Sequence, residues 1–594
     1  MANVVFVRRS FLQALGLGAA GLSLGIAHAD PPKPEAKTEA KTDPKQAGDG
    51  LRPNVFVHIA LDGGVSIVCH RSEMGQGVRS TLPALIADEL GADPSTVKII
   101  QGDGDTAYGD QNTDGSSSIR NRYEEYRRIG ATARVMLVGA AAKQWGAKEA
   151  DLTTTMGTVV DRKTKKSKPF AALVKDAAQR KVPDPKTVVL RPDAEMLHVF
   201  RDLPLVDGPD IVTGKGKFGA DVKVPGMLIA VIARPPVVGG KAKSFDASKA
   251  LALKGVRKVV ELPQPKAPFA FQALGGIAVL ADDTWTALKA RAALSITWED
   301  GPNGSLDSAS YREGLFTAVR AAGDVVRKVG DVDAALASAA KKVEAEYFVP
   351  HLAHTPMEPP ACLASFTGDA CEVWTSTQNP QAAQKEVARA LGLDAKKVTV
   401  HVTLLGGGFG RKSKADYVSE AALLSKAAGA PVRVQWTRED DIQHDYYHST
   451  CAVRLAAGLD KSNKVTAWLH RAAFPSISST FAEGVTHGGE GELQQGTLDF
   501  PLAIPNVRAE NGEAKALVRI GWLRSVHNIN FAFATNSFID EIAQARGDDP
   551  RDVLLEIIGP ARIVGPAELG VPKVPNYGAP LDQHPIDVAR LRNV

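Results

Sequence analysis

Cysteine is scarce in this sequence. The 594-residue chain holds four, Cys69, Cys362, Cys371 and Cys451, and none stands in a CxxC pair. That argues against a zinc ribbon or an iron–sulfur cluster carried by this chain alone. Cys362 and Cys371 are close enough in sequence to pair in an oxidising compartment, but two buried free thiols are the preferred reading. Aromatic residues make up only 6% of the chain, so no stacking platform for bases is evident. Charge of one sign is missing too. The 71 basic residues face 67 acidic ones, a net charge of +4, which gives no electrostatic case for nucleic acid. Beyond the N-terminus no stretch is long and apolar enough to span a bilayer. What is present is ordinary globular material, 44% hydrophobic and 23% charged. At ~150 residues per domain, the length predicts about four units.

The first thirty residues read as an address. Arg8-Arg9-Ser10-Phe11-Leu12 opens a Gly- and Ala-rich apolar run, and Ala27-His28-Ala29 offers a small-x-small cleavage site. The paired arginines before Ser-Phe-Leu predict a twin-arginine export signal over 1–29 and a periplasmic destination. A Sec signal with two adjacent arginines is the alternative. The twin-arginine route carries folded proteins, often enzymes loaded with a complex cofactor in the cytoplasm. Residues 30–50 are Pro, Lys, Glu, Asp, Thr and Ala, and predict a disordered linker.

From Val55 the pattern predicts a hairpin turning at Asp62-Gly63-Gly64, then the Gly-rich loop Met74-Gly75-Gln76-Gly77 and a helix over 80–90 stopped by Gly91. Gly115-Ser116-Ser117-Ser118 precedes a long amphipathic helix over 122–145, ended by Gly146. Strands are predicted over 211–218, 227–233 and 256–262, and a helix over 283–294. Farther on come a strand over 397–403, the loop Gly406-Gly407-Gly408-Phe409-Gly410-Arg411-Lys412, and a helix over 415–427.

A strand, a glycine turn and a helix make an anion cradle. The nucleotide templates nevertheless fail. A Walker loop needs Gly directly before Lys, where Arg411 sits, and a G-x-G-x-x-G counted from Gly406 ends on Arg411. A nucleotide-dependent dehydrogenase is therefore a poor reading. Four glycines exceed what a packing turn needs, which favours a functional loop.

This block, Thr377-Gln378-Asn379-Pro380, Met74-Gly75-Gln76-Gly77 and Gly521-Trp522-Leu523-Arg524-Ser525-Val526 together resemble the molybdenum-cofactor subunit of the xanthine oxidase and aldehyde oxidase family. The N-terminal GQG element is similar to the branch typified by isoquinoline 1-oxidoreductase beta subunits. His354-Thr355-Pro356-Met357-Glu358-Pro359 and Trp436-Thr437-Arg438-Glu439-Asp440-Asp441 agree. The resemblance covers 51–594. It implies an α+β fold of several subdomains with mixed sheets and helices: an N-terminal molybdopterin-binding segment over 51–200, a hammerhead-like α/β domain over 201–300, and a molybdopterin-binding domain over 301–594.

The resemblance also implies roles. Molybdenum would be held through the pterin dithiolene, with no protein ligand to the metal, and the cofactor would be molybdopterin in its cytosine dinucleotide form. Gln378 matches the glutamine that hydrogen-bonds a molybdenum ligand, a task suited to an uncharged amide. Phe409 and Gly410 match the pair beside the metal. Arg524 matches a position near the substrate, where a guanidinium stabilises developing charge; a surface or structural ion pair is the competing reading. Gly75, Gln76, Gly77, Gly115, Ser116, Ser117, Ser118, Gly406, Gly407, Gly408 and Arg411 match cofactor-binding segments, although serines at a helix start also serve as ordinary N-caps. Glu358, Asp440 and Asp441 are read as structural, and His351 and His354 lack the partners of a zinc site.

One element departs from the pattern. The family's catalytic base is a glutamate in a G-x-G-E loop near the C-terminus. Gly489-Glu490-Gly491-Glu492 looks similar but precedes Trp522-Leu523-Arg524 instead of following it, so the role is not transferred. The final string, Leu581 to Val594, resembles the point where relatives begin a further region. Two expectations follow: a split subunit completed by a second polypeptide, which is favoured, or a truncated scaffold without hydroxylase activity. As a subunit, the chain would oxidise an N-heterocycle or aldehyde with oxygen from water. It would pass electrons to a small [2Fe-2S] subunit and on to a cytochrome c.

Overall fold

The computed structural model describes residues 49–573 and 581–594. The export signal expected over 1–29 and nearly all of the linker expected over 30–50 lie outside the described residues. Strands Gly50–Leu51, Val57–Ala60, Val65–Cys69 and Lys98–Gln101 form a four-stranded sheet in sequence order. Val65, Ile67 and Cys69 point alternately into the core, as a half-buried strand requires. Helices Val78–Leu90 and Tyr123–Trp145 cover it, each stopped by a left-handed glycine, Gly91 and Gly146. They cross closely at Gly130, where a Cβ would lie 2.3 Å from the Ile86 carbonyl oxygen.

The central sheet has seven strands in the order Val256–Leu262, Gly276–Ala281, Leu228–Ala233, Val432–Gln435, Ala361–Thr367, Ala370–Thr375, Val398–Val402. The strands of the 201–300 block therefore share a sheet with residues 361–435, joined by parallel pairing of Val432–Gln435 with Leu228–Ala233. The boundary expected near residue 300 falls inside this sheet system. Helices Pro380–Leu391 and Asp416–Ala428 pack on the sheet through Val387, Leu391, Val418 and Leu424.

A third body is a five-stranded sheet in the order Asp324–Val329, Asn506–Gly512, Val465–Ala473, Cys451–Leu459, Lys341–Val349. Helix Asn528–Arg546 closes its core through Phe531, Phe538 and Ile542. The architecture is α+β. One element corrects the sequence reading: 211–218 is not a strand but begins inside helix Gly208–Val212, with Pro209 at the start and Asp210 in the first turn. All four cysteines are buried free thiols. Among the described residues, no helix is long and apolar enough to cross a membrane.

Candidate functional site

Parallel pairing creates the site. Ala370–Thr375 and Val398–Val402 run in the same direction, with Thr375 beside Val402. Their C-terminal ends therefore release Thr377-Gln378 and the 406–410 glycine loop at the same edge, the edge where α/β sheets hold ligands. Asn379 then caps helix Pro380–Leu391, its Oδ1 accepting the Ala382 N–H at 3.0 Å, and Pro380 takes the first turn.

Gln378 is buried between the loops. Its Oε1 accepts the Gly410 N–H at 3.0 Å, and its Nε2 donates to the Thr113 carbonyl at 2.9 Å. One of its two amide hydrogens remains for a further acceptor. A Cβ at Gly408 would lie 2.5 Å from Gln378 Oε1, so the close approach requires glycine. The N–H groups of Gly407, Gly408 and Phe409 have no acceptor among the described residues. Three successive donors of this kind form a nest for an oxygen-rich anion. Phe409 sits at φ 53° with 39% of its surface exposed. Thr355, Ser525 and Val526, close in the structure to this loop, also hold positive φ. Such strain persists only where the surroundings over-determine it.

The N-terminal segment supplies two more loops. Leu405 N–H donates to the Glu73 carbonyl at 2.9 Å, bringing Met74-Gly75-Gln76-Gly77 to the glycine loop. Met74 Sδ would lie 3.2 Å from a Gly408 Cβ. The amides of Gly75, Gly77 and Arg79 all donate to the Glu73 carboxylate. Gln76 folds back onto Ser72 and Met74 while its surface stays exposed. Thr113 N–H donates to the Gln378 carbonyl at 2.8 Å, which places the 115–118 turn next to Gln378. Ser117 Oγ donates to the Asp114 carbonyl, while the Ser116 and Ser118 hydroxyls have no partner among the described residues. Ser116 makes no side-chain cap, so N-capping does not account for it.

Arg524 is exposed and its guanidinium forms no ion pair among the described residues; its backbone N–H donates to the Phe409 carbonyl at 2.8 Å. The competing reading of Arg524 as a structural ion pair is therefore not seen. Two residues to which the sequence assigned no role in the cleft, His354 and Lys414, hold this contact. His354 Nε2 meets the Trp522 carbonyl at 2.8 Å, and its Nδ1 meets Asp445 at 2.9 Å. Lys414 is fully buried and donates to the Gly410 carbonyl, with Trp522 O at 3.5 Å. Burial pushes the Lys414 amine down to about 7, although Asp445 opposes the shift. A Cβ at Gly410 would fall 1.7 Å from Trp522 O, so the two loops touch backbone to backbone.

Arg411 departs from its expected role. Its guanidinium does not reach the cleft. It is buried behind the loop, paired with Asp416 at 2.9 and 3.0 Å and with Asp445 at 3.1 Å, and lies over the Trp436 and Tyr446 rings. Two facing carboxylates, Asp416 and Asp445, draw the guanidinium inward and hold it there. Burial opposes ionisation of Asp416, but Arg411 and Arg519 outweigh it and keep the carboxyl below its usual range. Glu358 is structural as expected: it accepts the Gly406 and Ala220 amides and pairs with Lys412 at 2.6 Å. Glu492 is fully engaged by Ser476 Oγ, the Ile477 and Gly489 amides and His527. Glu73 had a local signal, a carboxylate just ahead of a Gly-x-Gly turn; Asp445 and Lys414 had none, and the string that contains His354 did not show its contacts, because their partners are distant in sequence.

Two family models match the sequence, both described as a molybdopterin cofactor-binding domain, over residues 318–556 and 19–199. The chain is 28% identical to the isoquinoline 1-oxidoreductase subunit beta of Brevundimonas diminuta, over 92% of this chain and 74% of that one. It is 30% identical to the membrane-bound aldehyde dehydrogenase [pyrroloquinoline-quinone] of Gluconacetobacter polyoxogenes, over 93% of this chain and 72% of that one. The chain belongs to the xanthine oxidase family of molybdenum-cofactor-binding subunits. The aldehyde oxidoreductase of Desulfovibrio gigas shares the fold of these subunits with it: the TM-score is 0.50 at 17% identity, covering 81% of this chain and 53% of that one.

The residues present fit such a cofactor. A pterin with a phosphate tail is rich in acceptors, and the cleft offers donors: the Gly407–Phe409 amides, the remaining Gln378 hydrogen and the Ser116 and Ser118 hydroxyls. Added Cβ atoms at Gly75 and Gly115 would meet nothing within 4 Å, so both turns face open space.

Proposed function

We propose that this chain is the molybdopterin-binding subunit of a periplasmic molybdenum hydroxylase. Its substrate would be an N-heterocycle or an aldehyde, the classes named for the two relatives above. The Arg8-Arg9-Ser10-Phe11-Leu12 pattern supports export of a folded, loaded protein. The cofactor would be the cytosine dinucleotide form, and electrons would leave through a small [2Fe-2S] subunit to a cytochrome c. The name of one relative carries pyrroloquinoline quinone, but both family models favour the pterin.

When bound, the molybdenum cofactor supplies the two-electron redox chemistry that places an oxygen of water on the substrate carbon. The chain's own part is positional. Gln378 donates without titrating, so its contact is independent of pH. The Gly407–Phe409 amides hold anionic oxygen. Phe409 offers an apolar face, and Arg524 offers a charge not committed to any carboxylate. The observation that carries the reading is the meeting of Gln378, the glycine loop, the GQG loop and the Arg524 segment at one sheet edge.

A second reading is favoured by one observation: Glu73, Glu358, Asp445 and Glu492 are all engaged in holding backbone or cations. Under it, the general-base carboxylate comes from a second polypeptide, and this chain alone is a cofactor-binding scaffold. Metal and pterin analysis of the periplasmic protein, purified with whatever co-purifies, separates the outcomes. About one molybdenum per chain with iron in a small partner supports the hydroxylase. Molybdenum without turnover until another polypeptide is added supports the scaffold. An exported chain free of molybdenum and pterin refutes both.

A further inference from the structure

The five-stranded sheet contains a second polar enclosure, away from the cleft. Its origin is a register row. Arg327 pairs with Ala509, and Ala509 pairs with His470, on three adjacent strands. The three side chains share one face, and the small Ala509 leaves a gap between Arg327 and His470. Thr535 of helix Asn528–Arg546 and Thr497 of the preceding loop close the gap, leaving a cavity of about 10 Å³ for the centre of a water-sized particle. Arg327, His470, Thr497, Thr535 and Ala509 are all at least 96% buried.

The polar groups around this cavity are unmatched. Arg327 Nη1 donates to the Thr497 and Phe500 carbonyls at 3.0 and 2.7 Å. Arg327 Nε and Nη2, His470 Nε2 and the Thr497 and Thr535 hydroxyls have no partner among the described residues. Among the described residues no carboxylate pairs with Arg327. Asp499 and Glu568 are the acids it feels, and Asp499 instead accepts the Gly496 amide at 2.7 Å. Arg508, on the rim, is committed to Asp333 and Glu510. Burial lowers Arg327 to about 10, and burial together with Arg327 lowers His470 to about 3, so the ring is neutral. An uncompensated buried guanidinium is costly, and a cluster dominated by donors calls for an acceptor that carries negative charge.

We propose that this cavity is a binding site for one monatomic anion, a halide, held by Arg327 with the Thr497 and Thr535 hydroxyls. The cavity admits one particle, which excludes carboxylates, phosphate and sulfate. A bound halide would join the 324–329 strand, the 496–500 loop and helix Asn528–Arg546, whose N-terminus directly follows the Arg524 segment.

The test uses the full chain, purified without halide. Its thermal midpoint is measured in sodium bromide and in sodium gluconate at equal ionic strength, since gluconate is too large to enter. The expected result is a midpoint several degrees higher in bromide, saturating with concentration as linkage requires. Arg327→Met should remove the difference, and Thr535→Val should reduce the apparent affinity at least threefold. Crystals grown in bromide should show an anomalous peak between Arg327 and Thr535. Equal midpoints in the two salts would overturn the proposal. So would an undiminished bromide effect in Arg327→Met, or a cavity holding only water in the bromide crystals. If Arg327→Met does not fold, the wild-type salt comparison and the anomalous map still decide.

Discussion

Arg411 and Arg327 are both shut away from solvent, and the chain treats them in opposite ways. Arg411 lies behind the glycine loop with Asp416 and Asp445 against it and aromatic rings around it. Arg327 lies in the five-stranded sheet with carbonyl partners only. A paired buried cation has nothing left to give a ligand and acts as a strut. An unpaired one retains its field and its free N–H groups. The difference explains why Arg411, inside the glycine-loop motif, does not touch the cleft, while Arg327, outside every motif, lines a cavity.

Breaking the strut should have the largest effect. Asp416→Asn leaves Arg411 and Arg519 without their shared carboxylate, and urea unfolding should show a loss of about 3–5 kcal/mol. Gly410→Ala comes next. Its Cβ would collide with the Trp522 carbonyl at a positive φ, which predicts a loss of ~1–3 kcal/mol and a molybdenum content at least tenfold lower. Lys414 tests the same wall through pH. Its amine is held near 7 when folded and titrates near 10.4 when unfolded, so the unfolded chain binds more protons between those values. Wild-type stability should therefore gain a contribution as pH rises from about 7 toward 10, and Lys414→Met should lack it. A wild-type curve with the same slope as the variant would refute this. Arg327→Met in halide-free buffer should stay within ~1 kcal/mol of wild type, far from the Asp416→Asn loss, because removing a buried unpaired charge offsets the lost bonds to the Thr497 and Phe500 carbonyls. Arg524→Ala, exposed and unpaired, should shift stability by less than ~0.5 kcal/mol while lowering turnover of the loaded protein.

Much of the fold was legible where signals are local. Gly91 and Gly146 stop two helices, and alternation marks Val65–Cys69. Gln378 and the glycine loop were legible as motifs, and the parallel pairing of their strands explains why they meet. The 211–218 segment misled because its Ile and Val read as strand, while Pro209 and Asp210 start a five-residue helix. The sheet shared by the 201–300 block and residues 361–435 had no sequence sign, since strand partners so far apart leave no period. Arg411 was misplaced for a related reason: a motif gives adjacency along the chain, not the direction in which a side chain leaves it.

Glu73 has a consequence for how the protein matures. Its carboxylate occupies the amides of the Gly75–Gly77 turn, so that turn carries its own counter-anion and closes as soon as the chain folds. No ligand is required to shape it. The apo-protein would then present a finished socket, and loading would be a docking event instead of coupled folding. Its rate would be set by access and collision, with little ordering entropy left to lose. A chaperone delivering a fragile cofactor to such a socket would have only to orient its cargo.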